Sequence, residues 1–362
     1  MVFHMNESRT ARVLAALEEQ GLSQMLLTDP MSIYYLTGYL VQPFERFLGL
    51  LLRAGGDHVL FLNRLFPAPE NSGAAEVWYD DTDPVMDLVA PYVNPAAPLG
   101  VDKELPARFL LPLLEKKAAA AFVNGSPAVD RTRGVKDAGE QEKMRLASAI
   151  NDQAMAKFRS LVHEGVTERE IGDQMLQIYL DLGADGFSFP PLVAFGANAA
   201  DPHHEPDDTV LKPGDCVLFD VGCVKDGYCS DMTRTFYYKE VSDHCRAVYE
   251  TVRAANEAAE ARIRPGVPLC ELDRTARDLI TAKGWGPNFN HRLGHFIGLK
   301  EHEYGDVSAA FDWPVEPGMI FSIEPGIYLT GDTGVRIEDL VLVTEDGVEV
   351  LNRYPHGLDV IE

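Results

Sequence analysis

The chain has 362 residues, 46% of them hydrophobic and 24% charged, an ordinary globular composition that excludes disorder, collagen and coiled coil as the main architecture. Its 32 basic and 56 acidic residues leave a formal charge of −24, which argues against nucleic acid or an anionic membrane as a partner. The length exceeds one ordinary domain, so two are expected. No apolar run approaches the roughly 18 residues of a membrane span. The opening segment MVFHMNESRTAR has no apolar signal core, so a cytoplasmic location is expected. Cys216, Cys223, Cys229, Cys245 and Cys270 form no C-x-x-C pair and read as reduced thiols in core positions.

The first third alternates helix and strand. Val13, Leu14 and Leu17 recur at helical spacing over 8–20, before the C-cap residue Gly21. Residues 24–28 (QMLLT) read as a short buried strand, and 46–53 and 58–62 as a hairpin around Gly55-Gly56-Asp57. Residues 1–132 are therefore expected to form a small α/β domain, without a cluster of ligand-type side chains. The basic stretch RTRGVKDAGE (131–140) is the predicted connector, and 133–362 the second domain. There, Met144, Ala147, Ala154, Phe158 and Leu161 share one helical face, and Thr167 and Glu170 form a capping box opening the next helix.

The second region repeats itself. Gly165, Val166, Glu170, Ile171 and Gly183 recur as Gly266, Val267, Glu271, Leu272 and Gly284, each 101 residues on. Pro213-Gly214, Asp220 and Gly222 recur as Pro317-Gly318, Glu324 and Gly326, each 104 residues on. Two matches in order imply duplication of a helix–helix–hairpin unit, with the paired hairpins forming an antiparallel sheet and the helices its outer face.

The repeat places acids in equivalent positions. Asp226-Gly227 is a hairpin turn that pairs Lys225 with Tyr228 and Asp220 with Thr233. Asp231 then lies diagonal to Asp220, with β-carbons roughly 7–8 Å apart. In the second half Glu324 ends FSIE, and the return strand VRIEDLVLV carries Arg336 and Glu338 on one face. Carboxylates pointing together repel unless a cation lies between them. The segment HRLGHFIGLKEHE adds His291, His295 and His302, with Gly294 and Gly298 around His295. Four carboxylates and an imidazole suit two divalent ions roughly 3.5–4 Å apart.

These motifs, DVG with Asp220, SDMTRT with Asp231, GHFIG with His295, SIEPG with Glu324 and RIED with Glu338, resemble the pita-bread metallopeptidases. The chain is most similar to bacterial Xaa-Pro dipeptidases (prolidases) and their relatives, the Xaa-Pro aminopeptidases. The resemblance includes DPMSIYYLTGY (29–39), PFERFLGLLL (43–52) and ADPHHEPDD (200–208). It implies an α+β fold, with a C-terminal pita-bread domain of pseudo-twofold symmetry behind a smaller creatinase-like α/β domain. It implies two divalent metal ions, manganese as the usual choice and cobalt, zinc or iron as others. Asp220, Asp231, His295, Glu324 and Glu338 match the ligands, and Glu324 also the acid/base. His203 and His302 match accessory catalytic histidines, His291 lines the pocket, and Arg336 is a supporting partner. The implied substrates are short proline-containing peptides, and the implied assembly is a homodimer. A peptidase acting on longer Xaa-Pro peptides is the alternative, and a non-catalytic binding protein of the same fold the other class. Prolidases read the substrate carboxylate with an arginine, but 303–318 contains neither arginine nor lysine. Arg46, Arg292 and His203 are the candidate readers.

Overall fold

The computed structural model describes residues 5–69 and 71–362. It divides into two compact units, one ending at Arg133 and the other beginning at Gly134.

The first unit is built on a six-stranded sheet. Its strand order is Ala75–Tyr79, Val59–Asn63, Gly49–Arg53, Gln24–Leu27, Leu99–Val101, Phe122–Asn124. Every residue of the central strand Gln24–Leu27 is buried, as its near-continuous apolar sequence demands. Gly49 pairs with Phe61 in the predicted hairpin. Its first strand begins three residues later than expected. Phe44 adopts a positive φ of 52°, and the Arg46 N–H donates to the Pro43 carbonyl at 3.0 Å, which folds 43–46 into a turn. The predicted connector also differs. Residues 131–134 belong to the helix Ser126–Gly134, because buried Arg133 donates to Asp29 and Ser32, both at 3.2 Å.

The second unit shows the duplicated pattern. Helices Ala138–Arg159 and Glu168–Asp181 pack with strands Cys216–Val221 and Met232–Tyr238. Helices Asp243–Arg262 and Leu269–Ala282 pack with Ile320–Ile323 and Asp339–Val343. One core packs Phe158, Ile171 and Met175 against Val193, Phe219 and Phe236, and the other packs Val252, Leu272 and Ile280 against Phe321 and Val341 and takes in Leu218 and Tyr237 of the first half. The first helix starts at a capping box of Asp137 and Glu140, the second at one of Thr167 and Glu170. The ladder hydrogen bonds form two main sheets, of four and five strands.

Both return strands break at an acid. Thr233 faces Asp220 and Lys225 faces Tyr228, with Asp226 and Gly227 at φ of 50° and 80° as a type I′ turn requires. The strands Tyr228–Cys229 and Met232–Tyr238 leave Ser230 and Asp231 between them. The second return strand, predicted as continuous, is likewise split. Thr333–Arg336 pairs with Gly326–Leu329, while Asp339–Val343 pairs with Ile320–Ile323. Ile337 and Glu338 lie in the gap, where the Glu338 N–H donates to the Thr233 carbonyl at 3.1 Å and Arg234 Nη1 donates to the Glu338 carbonyl at 2.7 Å. These bonds knit the two halves together at their centre.

Candidate metal centre and catalytic pocket

Asp220 sits in the strand Cys216–Val221, Asp231 and Glu338 at the two strand breaks, Glu324 just after Ile320–Ile323, and His295 within Gly294–Phe296. All five line one cavity of about 560 Å³, together with His203, His291, His302 and Arg336.

His295 Nε2 lies 3.6 Å from Asp231 Oδ2, 3.6 Å from Glu324 Oε1 and 3.9 Å from Glu338 Oε1. These separations are too long for hydrogen bonds. They suit ligand atoms that each stand about 2.0–2.2 Å from a shared cation. Asp220 Oδ1, Asp231 Oδ1 and Glu338 Oε1 are buried and accept no hydrogen bond. Such orphaned oxygens are costly unless a positive charge faces them. Burial, and then Glu338, pushes the Asp231 carboxyl far up. Burial, and then Glu324, does the same to Glu338, and burial raises Glu324 to about 7. Burial, and then His302, holds His295 far below its usual range, so it is a neutral imidazole fit to ligate. The donor set is hard oxygen with one nitrogen, so the residues fit divalent metal ions.

The surroundings orient these side chains. A β-carbon on Gly294 would lie 1.9 Å from the Ser322 carbonyl oxygen, so only glycine lets His295 approach. Ser322 Oγ accepts from the His295 N–H at 3.0 Å and donates to Glu324 Oε1 at 3.3 Å. Thr233 Oγ1 donates to Glu338 Oε2 at 2.7 Å and accepts from Arg336 Nε at 3.0 Å. His291 Nδ1 lies 2.6 Å from the Arg292 carbonyl oxygen and therefore carries its proton there. His291 Nε2 then accepts from the Tyr328 hydroxyl at 2.9 Å, and that hydroxyl accepts from Arg336 Nη1, also at 2.9 Å. Burial, and then Arg336, pulls His291 down to about 4, so it stays neutral at physiological pH. Sequence reasoning missed Ser322, Thr233 and Tyr328 as parts of the site. Only Thr233 left a trace, through its register with Asp220.

The accessory groups take distinct places. The His302 and His295 rings lie 4.1 Å apart, edge to face. His203 is exposed on the cavity wall, and its imidazole makes no hydrogen bond among the described residues. Its neighbour His204 turns to Glu168, 2.6 Å from Nε2. Arg292 and Glu301 also line the cavity, and Arg292 pairs with Asp306. Arg46, in the first unit, donates twice to Asp81 at 2.9 Å and pairs with Glu45 at 2.9 Å, as a surface ion pair.

Comparison with known proteins agrees with this geometry. The model for metallopeptidase family M24 matches residues 142–345, and that for the creatinase/prolidase N-terminal domain matches 9–135. An uncharacterized peptidase of Staphylococcus aureus strain MSSA476 is 38% identical over 356 residues, covering 96% of this chain and 99% of the relative. The crystal structure of dipeptidase PepE from Mycobacterium ulcerans is similar with a TM-score of 0.92 and 35% identity, covering 98% of this chain and 97% of that one. A Xaa-Pro dipeptidase from Bacillus anthracis is similar with a TM-score of 0.88 and 31% identity, over 98% and 99% of the two chains. The fold is thus the pita-bread architecture behind a creatinase-like domain, the activity is that of a metal-dependent peptidase, and the chain belongs to metallopeptidase family M24.

Proposed function

We propose that this metallopeptidase hydrolyses the imide bond of Xaa-Pro dipeptides, with two manganese ions held by Asp220, Asp231, His295, Glu324 and Glu338. The observation that carries the metal assignment is the set of three buried, unpartnered oxygens, on Asp220, Asp231 and Glu338, whose carboxylates line one cavity with His295. Divalent ions in such a cluster polarise a carbonyl and acidify water. Glu324 takes and returns the proton, since its carboxyl lies beside the cluster and within the cavity. His302 donates to the developing oxyanion, and His203 approaches the substrate from the facing wall. His291, neutral and fixed by Tyr328, lines the pocket without adding charge. An Xaa-Pro bond has no N–H to donate, so the site must fit the proline ring and protonate its nitrogen.

The proline specificity and dipeptide length are supported by the names of similar proteins, a dipeptidase and a Xaa-Pro dipeptidase. The alternative is an Xaa-Pro aminopeptidase acting on longer peptides. A dipeptide ends in a carboxylate, for which Arg292 is the cavity's own candidate and Arg46 the second. We also propose a homodimer in the cytoplasm, in keeping with five free cysteines. No helix among the described residues is long and apolar enough to cross a membrane.

The test compares Ala-Pro, Ala-Pro-Ala and Ala-Ala on manganese-loaded protein. Fastest turnover of Ala-Pro is expected. A preference for Ala-Pro-Ala moves the assignment to the aminopeptidase, and equal turnover of Ala-Ala removes the proline specificity.

A further inference from the structure

Glu168 is the first residue of the helix Glu168–Asp181, and its side chain is fully buried. It does not line the metal cavity, and its carboxylate accepts four hydrogen bonds. Oε1 accepts from the Phe195 N–H at 2.7 Å and from Asn198 Nδ2 at 3.0 Å. Oε2 accepts from His204 Nε2 at 2.6 Å and from the Asp207 N–H at 3.1 Å. A carboxylate at a helix N-terminus is also favoured by the helix dipole.

Glu168, His204 and Asp207 stand close enough together to suggest a second metal site. The hydrogen bonds explain that closeness better. All four bonds above meet at Glu168, and the Asp207 carboxylate is taken by the Thr209 N–H at 2.7 Å. None of the three appears among the buried unpartnered oxygens that mark the metal centre.

The four donors come from both ends and the middle of one segment, 195–207. That segment carries His203 to the cavity wall. Asp201 steadies its near side, accepting the His203 N–H on its side chain at 3.0 Å and the His204 N–H on its carbonyl at 3.2 Å. His203 lines the metal cavity and His204 does not. His204 is held by Glu168 while the adjacent His203 reaches the cavity.

We propose that Glu168 is a positioning residue for His203: it fixes the 195–207 segment, through His204 and three further donors, so that the His203 imidazole stays over the reaction centre. The proposal rests on the reading of His203 as a group that meets the substrate. Glu168→Gln is the informative change. An amide offers one acceptor oxygen, and its NH2 would face the Asp207 N–H and His204. His204 can adapt by switching tautomer, but the Asp207 N–H cannot, so the segment loses a tether while the helix keeps its first residue.

The test is a double-mutant cycle on manganese-loaded protein with Ala-Pro, using Glu168→Gln, His203→Ala and the pair. Metal content and melting temperature are measured alongside. Glu168→Gln alone should lower kcat/KM by between about 10- and 100-fold, the usual scale for a displaced reacting group. In the His203→Ala background it should change kcat/KM less than about 2-fold, because the group it positions is gone. An effect of equal size in both backgrounds makes Glu168 a general structural residue and overturns the proposal. An inert His203→Ala overturns it differently, by removing the reading of His203 while leaving the peptidase assignment intact. If Glu168→Gln does not fold, His204→Ala takes its place in the same cycle, with the same two outcomes.

Discussion

Arg336 holds Asp220 from the opposite half of the fold, its Nη2 donating to Asp220 Oδ2 at 2.5 Å across 116 residues of sequence. The same guanidinium donates to Tyr328 and Thr233, so one buried cation orders an acid, a phenol and a hydroxyl together. Only a planar fork reaches three partners in this geometry. Arg336→Lys should therefore keep the charge and lose the alignment. Activity is expected to fall by about 10–100-fold, the usual cost of losing a partner that orients a ligand. Bound metal should fall from two ions per chain towards one. Metal analysis beside kinetics decides; a fully loaded, fully active variant would detach Arg336 from Asp220's role.

Asp231 and Glu338 occupy equivalent breaks in the two return strands. Either one replaced by Ala should abolish binding of both ions. For the native protein stripped by a chelator, manganese at about 100 times its dissociation constant should raise the melting temperature by roughly 5–10 °C. Neither variant should show that rise. Retention of two ions by Asp231→Ala would show that Asp231 is not shared between the two ions.

His302 and His203 are assigned to the substrate and not to the metal. His302→Ala should keep its full metal content and lose about 10²–10³ in kcat, the scale of a missing oxyanion donor. His203→Ala should behave similarly, with a higher KM. Loss of metal from His302→Ala would make it a ligand.

The carboxylate of a dipeptide has two candidate readers. Arg292→Ala should raise KM for Ala-Pro several-fold and leave Ala-Pro-Ala unchanged or improved. Arg46→Ala serves as the comparison, because both guanidinium groups are paired with acids but only Arg292 lines the cavity. A dipeptide-selective effect in Arg46→Ala, absent from Arg292→Ala, transfers the role to Arg46.

Glu260 offers a pH test away from the centre. Its Oε1 is buried without a hydrogen bond, and burial, then Asp339, raises its carboxyl to about 8, with Arg234 and Glu257 also facing it. Between the ordinary carboxylate range and pH 8 the folded state holds a proton that the unfolded chain has released. Stability therefore falls as pH rises through that window. Glu260→Gln removes this slope. Its melting temperature should match the native protein's near pH 4.5 and exceed it by at least about 2–4 °C at pH 8. A constant difference across the range would show that Glu260 is ionised in the fold.

The acids that line the cavity were legible because a short-range signal placed them. Asp226-Gly227 sets the register that faces Asp220 with Thr233, and the internal repeat carries that geometry to Glu324 and Glu338. The break in the second return strand was not legible. Val335, Ile337 and Leu340 to Val343 have strong β propensity, and only the meeting of two sheets divides them at 337–338. Tyr328 and Glu168 were invisible for a related reason. A tyrosine in an apolar run and a glutamate in a capping box look ordinary until partners from distant segments arrive. The turn at 43–46 escaped notice because it depends on a left-handed Phe44, a conformation that few side chains advertise.

The even division of the acids between the two halves also bears on the chain as it is being made. The first of the five cavity groups, Asp220, precedes the last, Glu338, by 118 residues. At about 5–20 residues per second, a ribosome takes on the order of ten seconds to pass from one to the other. During that interval the first half can pack its own helices and strands, but it holds only Asp220 and Asp231, without the imidazole or the second pair of acids. The five groups that line the cavity therefore cannot come together until synthesis has passed Glu338.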